Sequence, residues 1–487
     1  MEAGMLSRVF RVHFVGIGGI GMSGIAEVLL VQGWPVSGSD LRPSAITDRL
    51  AAMGARIHIG HAAANLGDAE VVVTSSAVAE TNPEVAAAHA LQIPVIPRAE
   101  MLAELMRLKF GIAVAGMHGK TTTTSMTATV LAAVGLDPTV VVGGRLDSIG
   151  SNARLGSSDY LVAEADESDR SFLMLAPIVA VITNLDREHL DCYRDLDDIQ
   201  DAFVTFANRV PFHGTVLIGS DDAAARAIVP RIRRRTITYG RHEESEVHVA
   251  EVRLAGLESY FRLRLRPTAA HLMRREAASL DLGEFRLPRP GLHNVLDATA
   301  AISVGLLLGR DLELIRAAIA GFTGVDRRFQ IRGSVGGVRV VDDYGHHPTE
   351  LAATLAAARQ VVQAEGQGGR VLMIFQPHRY TRTYHLRDEF AQVLTLADHT
   401  WLLDIYPAGE SPIAGVDAAS LAAQARRAGA VTDYAPNAEA ALTAAAAAAR
   451  PGDLILTQGA GSVSGLGEKL LTELRSTVAA DTGTARS

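Results

Sequence analysis

The chain has 487 residues, 48% of them hydrophobic and 21% charged, enough for two to four domains with real cores. Its net charge of −8 argues against a general attraction to nucleic acid or membrane, and its one cysteine, Cys192, excludes an internal disulfide and fits a reducing compartment. No apolar run is long enough to span a bilayer and no signal-peptide core opens the chain, so a cytoplasmic location is expected.

A strand over 9–15 leads into Gly16-Ile17-Gly18-Gly19-Ile20-Gly21 and a helix over 22–32. This is an intact G-x-G-x-x-G turn, with the carboxylate of Asp40 roughly 20 residues past the loop. Glycines there let a pyrophosphate approach backbone N–H groups. The motif specifies a diphosphate without specifying NAD, so an NAD-dependent dehydrogenase stands as an alternative. A second strand over 69–73 ends in Thr74-Ser75-Ser76, whose hydroxyls serve either a ligand at the carboxyl edge of the sheet or turn and cap chemistry. Pro94 and Pro97 bracket a short strand, and a helix over 100–108 leads onward.

The most informative stretch is Gly116-Met117-His118-Gly119-Lys120-Thr121-Thr122, between an apolar strand over 110–114 and a helix over 125–134. A strand, a glycine turn ending in Gly-Lys-Thr and a helix form a cradle for nucleoside triphosphate. Backbone N–H groups face the anion, Lys120 reaches the outer phosphates and a threonine hydroxyl takes Mg²⁺. Val114 stands where the usual pattern has its first glycine. A strand over 159–163 then delivers Glu164-Ala165-Asp166-Glu167-Ser168-Asp169. Four carboxylates at one strand end repel one another unless a cation or substrate joins them, which favours Mg²⁺ over a solvated acidic loop. The strand over 178–182 ends in a loop, 183–191, whose His189 suits a second divalent ion or a phosphate oxygen. The three strand ends should share one crevice.

Alternation over 247–252 and 260–265 predicts antiparallel strands, and 274–276 reads as an exposed insertion without chemistry. A helix opens at 291–297, where Asn294 could meet a purine edge or cap the helix. Beyond Arg328 the pattern restarts. Strands over 338–342, 370–375, 400–403 and 453–457 each deliver polar groups at the carboxyl end, the mark of a further open α/β sheet. Adjacent His346 and His347 lack the spacing of a zinc site. An alanine-rich helix over 440–450 is structural, and 479–487 should be a disordered tail.

The motifs at 16–26, 116–124, 164–169, 293–294 and 342–350 (Asp-Asp-Tyr-Gly-His-His-Pro-Thr-Glu) together resemble the Mur ligases over nearly the whole chain. The resemblance implies an α/β fold of three domains. They are a Rossmann-like UDP-sugar unit at 1–108, a central P-loop-type ATPase unit with a small antiparallel addition at 109–330, and a Rossmann-like amino-acid unit at 331–487. It further implies ATP with Mg²⁺, the substrates UDP-N-acetylmuramate and L-alanine, an acyl-phosphate intermediate, a role in peptidoglycan precursor synthesis and a monomer or homodimer. A sister activity adding a preformed peptide remains the rival.

Carried onto this sequence, Gly16, Gly18, Gly19 and Gly21 would hold the UDP diphosphate, with Asp40 and Ser75 near the nucleotide or sugar. Gly116, Gly119, Lys120, Thr121 and Thr122 would cradle ATP. Thr121 and Glu164 would hold one metal and His189 a second. Asn294 would meet adenine, while Arg328 and Asp342 or Asp343, of which Asp343 is preferred, would close over the nucleotide. Tyr344, His346, Arg379 and Arg382 would orient alanine. Lys120, Glu164, His189 and Arg328 form the expected catalytic set. Met117 replaces a usual threonine, Asp297 a frequent asparagine, and no lysine is assigned as a carbamylated metal bridge.

Overall fold

A computed structural model describes residues 10–75, 77–146, 151–275, 280–366 and 368–484. Expectations that touch Val9, Ser76, Glu276 and 485–487 lie outside these residues. Three β-sheets organise the chain in sequence order.

In the first sheet, strand Val12–Val15 lies between Val36–Asp40 and Val71–Thr74, with Arg56–Ile59 and Val95–Pro97 at the edges, all parallel. Strand order reverses beside Val12–Val15, and an open α/β sheet binds ligands at the carboxyl ends of such a switch point. The glycine turn sits there. It leads into helix Ile20–Val31, capped at Gly19.

The second sheet has ten strands. Phe110–Ala115 runs parallel between Tyr160–Glu164 and Val179–Ile182, so the turns after all three emerge on one edge. Val179–Ile182 is buried throughout, as expected for a parallel strand covered on both faces. Helix Lys120–Ala133 starts five residues before the expected 125. Its threonines are poor helix formers, but Thr121 to Ser125 are all buried, and tertiary contacts override propensity. Thr123 Oγ1 donates to Asp297 Oδ1 at 2.9 Å and Ser125 Oγ to the Thr121 carbonyl at 2.6 Å.

The antiparallel addition comprises Val247–Ala255, Glu258–Leu265 and a third strand, Asp281–Leu287. It continues the central sheet, because Tyr239 pairs with Val247 in parallel register. The insertion before its last strand is not bare, since Arg275 Nη2 donates to the Arg310 carbonyl at 2.8 Å. The third sheet is parallel through Val338–Asp343, Leu454–Gln458, Val371–Phe375, His399–Leu402 and Thr432–Tyr434, with Gln330–Val335 antiparallel at its edge.

One expectation is overturned. Residues 479–484 continue helix Leu466–Thr484 instead of forming a disordered tail. Val478-Ala479-Ala480 follows a packed amphipathic helix, and alanine extends a helix already nucleated by packing. No described helix is long and apolar enough to cross a membrane.

One layer of the central core is aromatic. Phe172 packs its ring 4.9 Å from Phe203 and 5.1 Å from Phe206, centroid to centroid, and all three are buried. Phe203→Ala should therefore lower stability by about 3–5 kcal/mol, read as a fall in urea midpoint at constant slope.

Candidate active site

The phosphate turn is shaped by two glycines that nothing else could replace. Gly116 (φ +132°) and Gly119 (φ +80°) occupy left-handed backbone. A Cβ would meet Thr183 Oγ1 at 2.0 Å from position 116, and Asp297 Oδ1 at 2.6 Å from position 119. Met117 is buried, and its N–H bonds the Asn184 carbonyl at 3.2 Å, so the backbone cradle tolerates the substitution. Lys120 opens the helix and folds back over the turn. Its Nζ donates to the carbonyls of Gly116 (2.8 Å) and Met117 (3.2 Å) and to Glu167 Oε1 (2.7 Å). Burial alone would lower this ammonium, but the charges of Glu167, Glu164 and Asp166 hold it above the ordinary lysine range.

The acidic stretch at 164–169 divides into four tasks. Glu164 Oε2 accepts from Thr121 Oγ1 at 3.0 Å. Glu167 is almost fully buried between Lys120 and His189, whose Nε2 lies 3.4 Å from Oε1. Asp166 pairs with Arg98 at 3.1 Å, and Asp169 accepts the N–H of Ser171 at 2.9 Å. Thr121 pairs with Glu164, and His189 with Glu167, on either side of Lys120, a division that sequence reasoning left as one cluster. Glu167 Oε2 is buried without a partner. Hard oxygens, one imidazole and an orphaned carboxylate oxygen fit a divalent cation such as Mg²⁺.

Beside the turn lies a cavity of about 470 Å³ whose lining includes Gly119, Thr122, Asn294, Asp297, Arg328 and Asp343. The expected nucleotide residues from two sheets therefore converge. Asn294 also serves locally, donating Nδ2–H to the Pro290 carbonyl at 2.7 Å. Asp342 is taken by Arg327 and Arg332, at 3.1 and 3.0 Å. Asp343 reaches the cavity, yet its oxygens accept from Phe329 N, Gly345 N and Gln458 Nε2, all at 2.8 Å, so it braces the loop it sits on. The Arg328 guanidinium lies 5.0 Å from the centre of the Tyr344 ring.

Across the cleft, the third sheet presents Tyr344, His346, Arg379 and Arg382 together with His378 and Tyr406, which the sequence reading did not single out. The rings of His346 and His378 are 5.3 Å apart, and His378 stacks on Tyr406 at 5.5 Å. Burial pushes His346 down to about 4 and His378 down to about 3, so both are neutral near pH 7. The two arginines are already engaged by the central sheet. Arg382 Nη2 donates to Glu188 Oε1 at 2.7 Å and Arg379 Nη1 to Asp191 Oδ2 at 3.3 Å. Burial would raise Glu188, but Arg382 and the surrounding histidines hold it down at about 2. Arg379 and His189 carry positive φ, +71° and +54°, a local strain typical of functional loops.

His347, the second member of the adjacent pair, meets His118 and Asp186 across the same cleft, with donor atoms within 4.8 Å of one another. One nitrogen of each ring is bonded, while His118 Nδ1 and His347 Nε2 are buried without a hydrogen-bond partner. His118 Nε2 lies 2.9 Å from Asp186 Oδ2, and His347 Nδ1 accepts the Thr349 N–H at its helix start. Burial would lower His118, but Asp186 and Glu350 raise it to about 10, so it is a cation between two carboxylates. Sequence spacing concealed this cluster because His347 comes from the third sheet, while His118 and Asp186 follow two different strands of the central one.

In the N-terminal unit, Asp40 Oδ2 accepts the Gly18 N–H at 2.9 Å and so braces the glycine turn. The Ser75 carbonyl accepts the Val78 N–H at 3.0 Å, which is turn chemistry. Gly16 has φ +79°, Gly19 caps the helix, and Gly21 shares a small pocket with Arg98, Glu164 and Asp166. That pocket joins the glycine turn to the metal-type donors.

Comparison with known proteins gives a consistent result. The Mur ligase family catalytic domain matches residues 11–110, the Mur ligase middle domain 114–305 and the Mur ligase glutamate ligase domain 327–461. The chain is 56% identical over 478 residues to a UDP-N-acetylmuramate–L-alanine ligase of Koribacter versatilis (strain Ellin345), covering 96% of this chain and 98% of that one. A ligase of the same name from Solibacter usitatus (strain Ellin6076) is 56% identical over 473 residues, covering 97% of each. The crystal structure of UDP-N-acetylmuramate-alanine ligase from Thermotoga maritima superposes with a TM-score of 0.75 at 28% identity, covering 96% of this chain and all 100% of that one.

Asp297 supplies a pH test of the cradle. Burial raises its carboxyl to about 7, against an ordinary value of 3.8. The folded protein therefore keeps a proton that the unfolded chain releases, and stability falls as pH rises between these values and stays reduced above 7. Asp297→Asn removes the ionisation. Its Tm relative to wild type should rise by several degrees between about pH 4 and pH 8; a constant offset across that range would refute the assignment.

Proposed function

The chain belongs to the Mur ligase family, and from that premise we propose that it joins L-alanine to the lactoyl carboxylate of UDP-N-acetylmuramate at the expense of ATP, in peptidoglycan precursor synthesis. The observation that supports this reading is that a phosphate turn with Lys120, the carboxylates Glu164 and Glu167 beside it, and a pair of arginines from the opposing sheet held on Glu188 and Asp191 lie along the same interface between sheets. A dehydrogenase would leave the second and third sheets without a task.

A free carboxylate is a poor electrophile, so the sugar acid first takes the outer phosphoryl group of ATP and becomes an acyl phosphate. The amine then attacks the acyl carbon, the C–O bond to phosphate breaks, and the nitrogen loses a proton as the amide forms. Lys120 lies at the turn to offset phosphate charge, and Arg328, in the segment leading into the third sheet, lines the nucleotide cavity. Thr121, Glu164, Glu167 and His189 would hold Mg²⁺, which when bound offsets the charge that moves with the phosphoryl group. Arg379 and Arg382 suit the alanine carboxylate as a guanidinium pair, exchanging Asp191 and Glu188 for the substrate. Neutral His346 offers an acceptor to the incoming amine, and Tyr344 lies beside it with ring centroids 5.4 Å apart.

The test is phosphate release with UDP-N-acetylmuramate, ATP and a panel of alanine, glycine, serine, glutamate and a tripeptide. Alanine should give the highest kcat/KM, and a preference for the tripeptide would replace this reading with the recycling activity. Lys120→Ala should lower kcat by roughly 10³-fold, the scale of a lost charge-stabilising donor.

A further inference from the structure

Arg98 is the first residue of helix Arg98–Arg107 and lies between two units. Its guanidinium is seated directly on Gly21, where a Cβ would meet Nη1 at 1.8 Å. Any side chain at the last glycine of the G-x-G-x-x-G turn would expel it. Nη2 meanwhile donates to Asp166 Oδ2 at 3.1 Å, from the acidic turn of the central sheet. Arg98, Gly21, Glu164 and Asp166 line one pocket of about 60 Å³, closed by Val141 and Phe172. The Arg98 side chain is 29% exposed and that of Asp166 43%, so solvent and ligand both reach the pair.

The chemistry of this position is specific. A glycine turn opening a helix draws an anion by its N–H groups, and a planar guanidinium beside it adds a bidentate donor for phosphate oxygens. A half-exposed arginine–aspartate pair contributes little net stability, on the order of 1 kcal/mol, and can yield to a dianion. We propose that Arg98 is a binding residue for the diphosphate of the UDP-sugar, handed from Asp166 to the diphosphate when that substrate enters. The exchange leaves Asp166 to the Ser168 N–H and the charge of Lys120 alone, which ties arrival of the sugar to a gain in negative charge beside Glu164 and Glu167. Glycine at 21 is then required by the arginine as well as by the turn. The inference rests on the reading under Proposed function for the identity of the nucleotide sugar.

The experiment is calorimetric titration of wild type, Arg98→Ala, Arg98→Lys and Asp166→Asn with UDP, UMP and UDP-N-acetylmuramate, and with ATP as a control of folding. Arg98→Ala should raise Kd for UDP and the UDP-sugar about 30-fold, equivalent to about 2 kcal/mol, while UMP and ATP change little. Arg98→Lys should recover part of the loss. Asp166→Asn, which frees the guanidinium, should bind UDP several-fold more tightly. Wild-type affinity for UDP in Arg98→Ala, equal losses for UDP and UMP, or weaker UDP binding in Asp166→Asn would each overturn the assignment. Wild type that binds UDP but ligates no amine would remove the proposed reaction and leave Arg98 standing; wild type that binds no UDP would remove both.

Discussion

A buried lysine facing carboxylates is the constraint around which this molecule is arranged. Lys120 can fold over the phosphate turn only because Glu167 and Glu164 offset its burial, and Glu167 can be buried only because Lys120 and His189 stand beside it. Neither charge is stable alone in that position. Under the proposed reaction, a triphosphate would compete with Glu167 for the ammonium and free that carboxylate. The site is thus filled with its own counter-charges in the absence of substrate.

The same principle recurs at each boundary between units. Arg382 and Arg379 lie on Glu188 and Asp191, Arg98 on Asp166, and His118 on Asp186 and Glu350. All but His118–Asp186 join groups from different units, and the arginines are donors suited to an anionic substrate. Such pairs hold the units in register while remaining exchangeable, because partial exposure keeps their net worth small. Closure over substrate then becomes a replacement of internal carboxylates by substrate anions, with few unpaired charges at any stage. His118, charged between two carboxylates, stands apart from neutral His346 and His378 a few residues away in the cleft.

Particular elements show what a linear reading can and cannot see. The glycine turns at 16–21 and 116–119 were legible because their backbone geometry admits few residue types, and both carry the positive φ they imply. The strand ends were legible because a buried parallel strand is an unbroken apolar run whose carboxyl end must be polar. Helix Lys120–Ala133 was misjudged at its start because threonine's poor propensity is outweighed by burial. The third strand of the antiparallel addition, Asp281–Leu287, was missed, and 479–484 continue as helix. The strand depends on a partner, Glu258–Leu265, that supplies its hydrogen bonds from elsewhere in the chain.

The amino-acid order alone was enough for the α/β class, the two glycine turns, the acidic stretch and membership of the Mur ligases, since each is local and chemically narrow. It could not assign partners within that stretch. Glu167 to Lys120, Asp166 to Arg98 and Asp169 to its own helix start are choices made by strand order and helix placement. Nor could it bring His118 to His347, or Glu188 to Arg382 across 194 positions of chain. Charges act over a few ångströms of space whatever their separation in sequence, so the pairing that prepares this site for anions came into being only when the sheets packed.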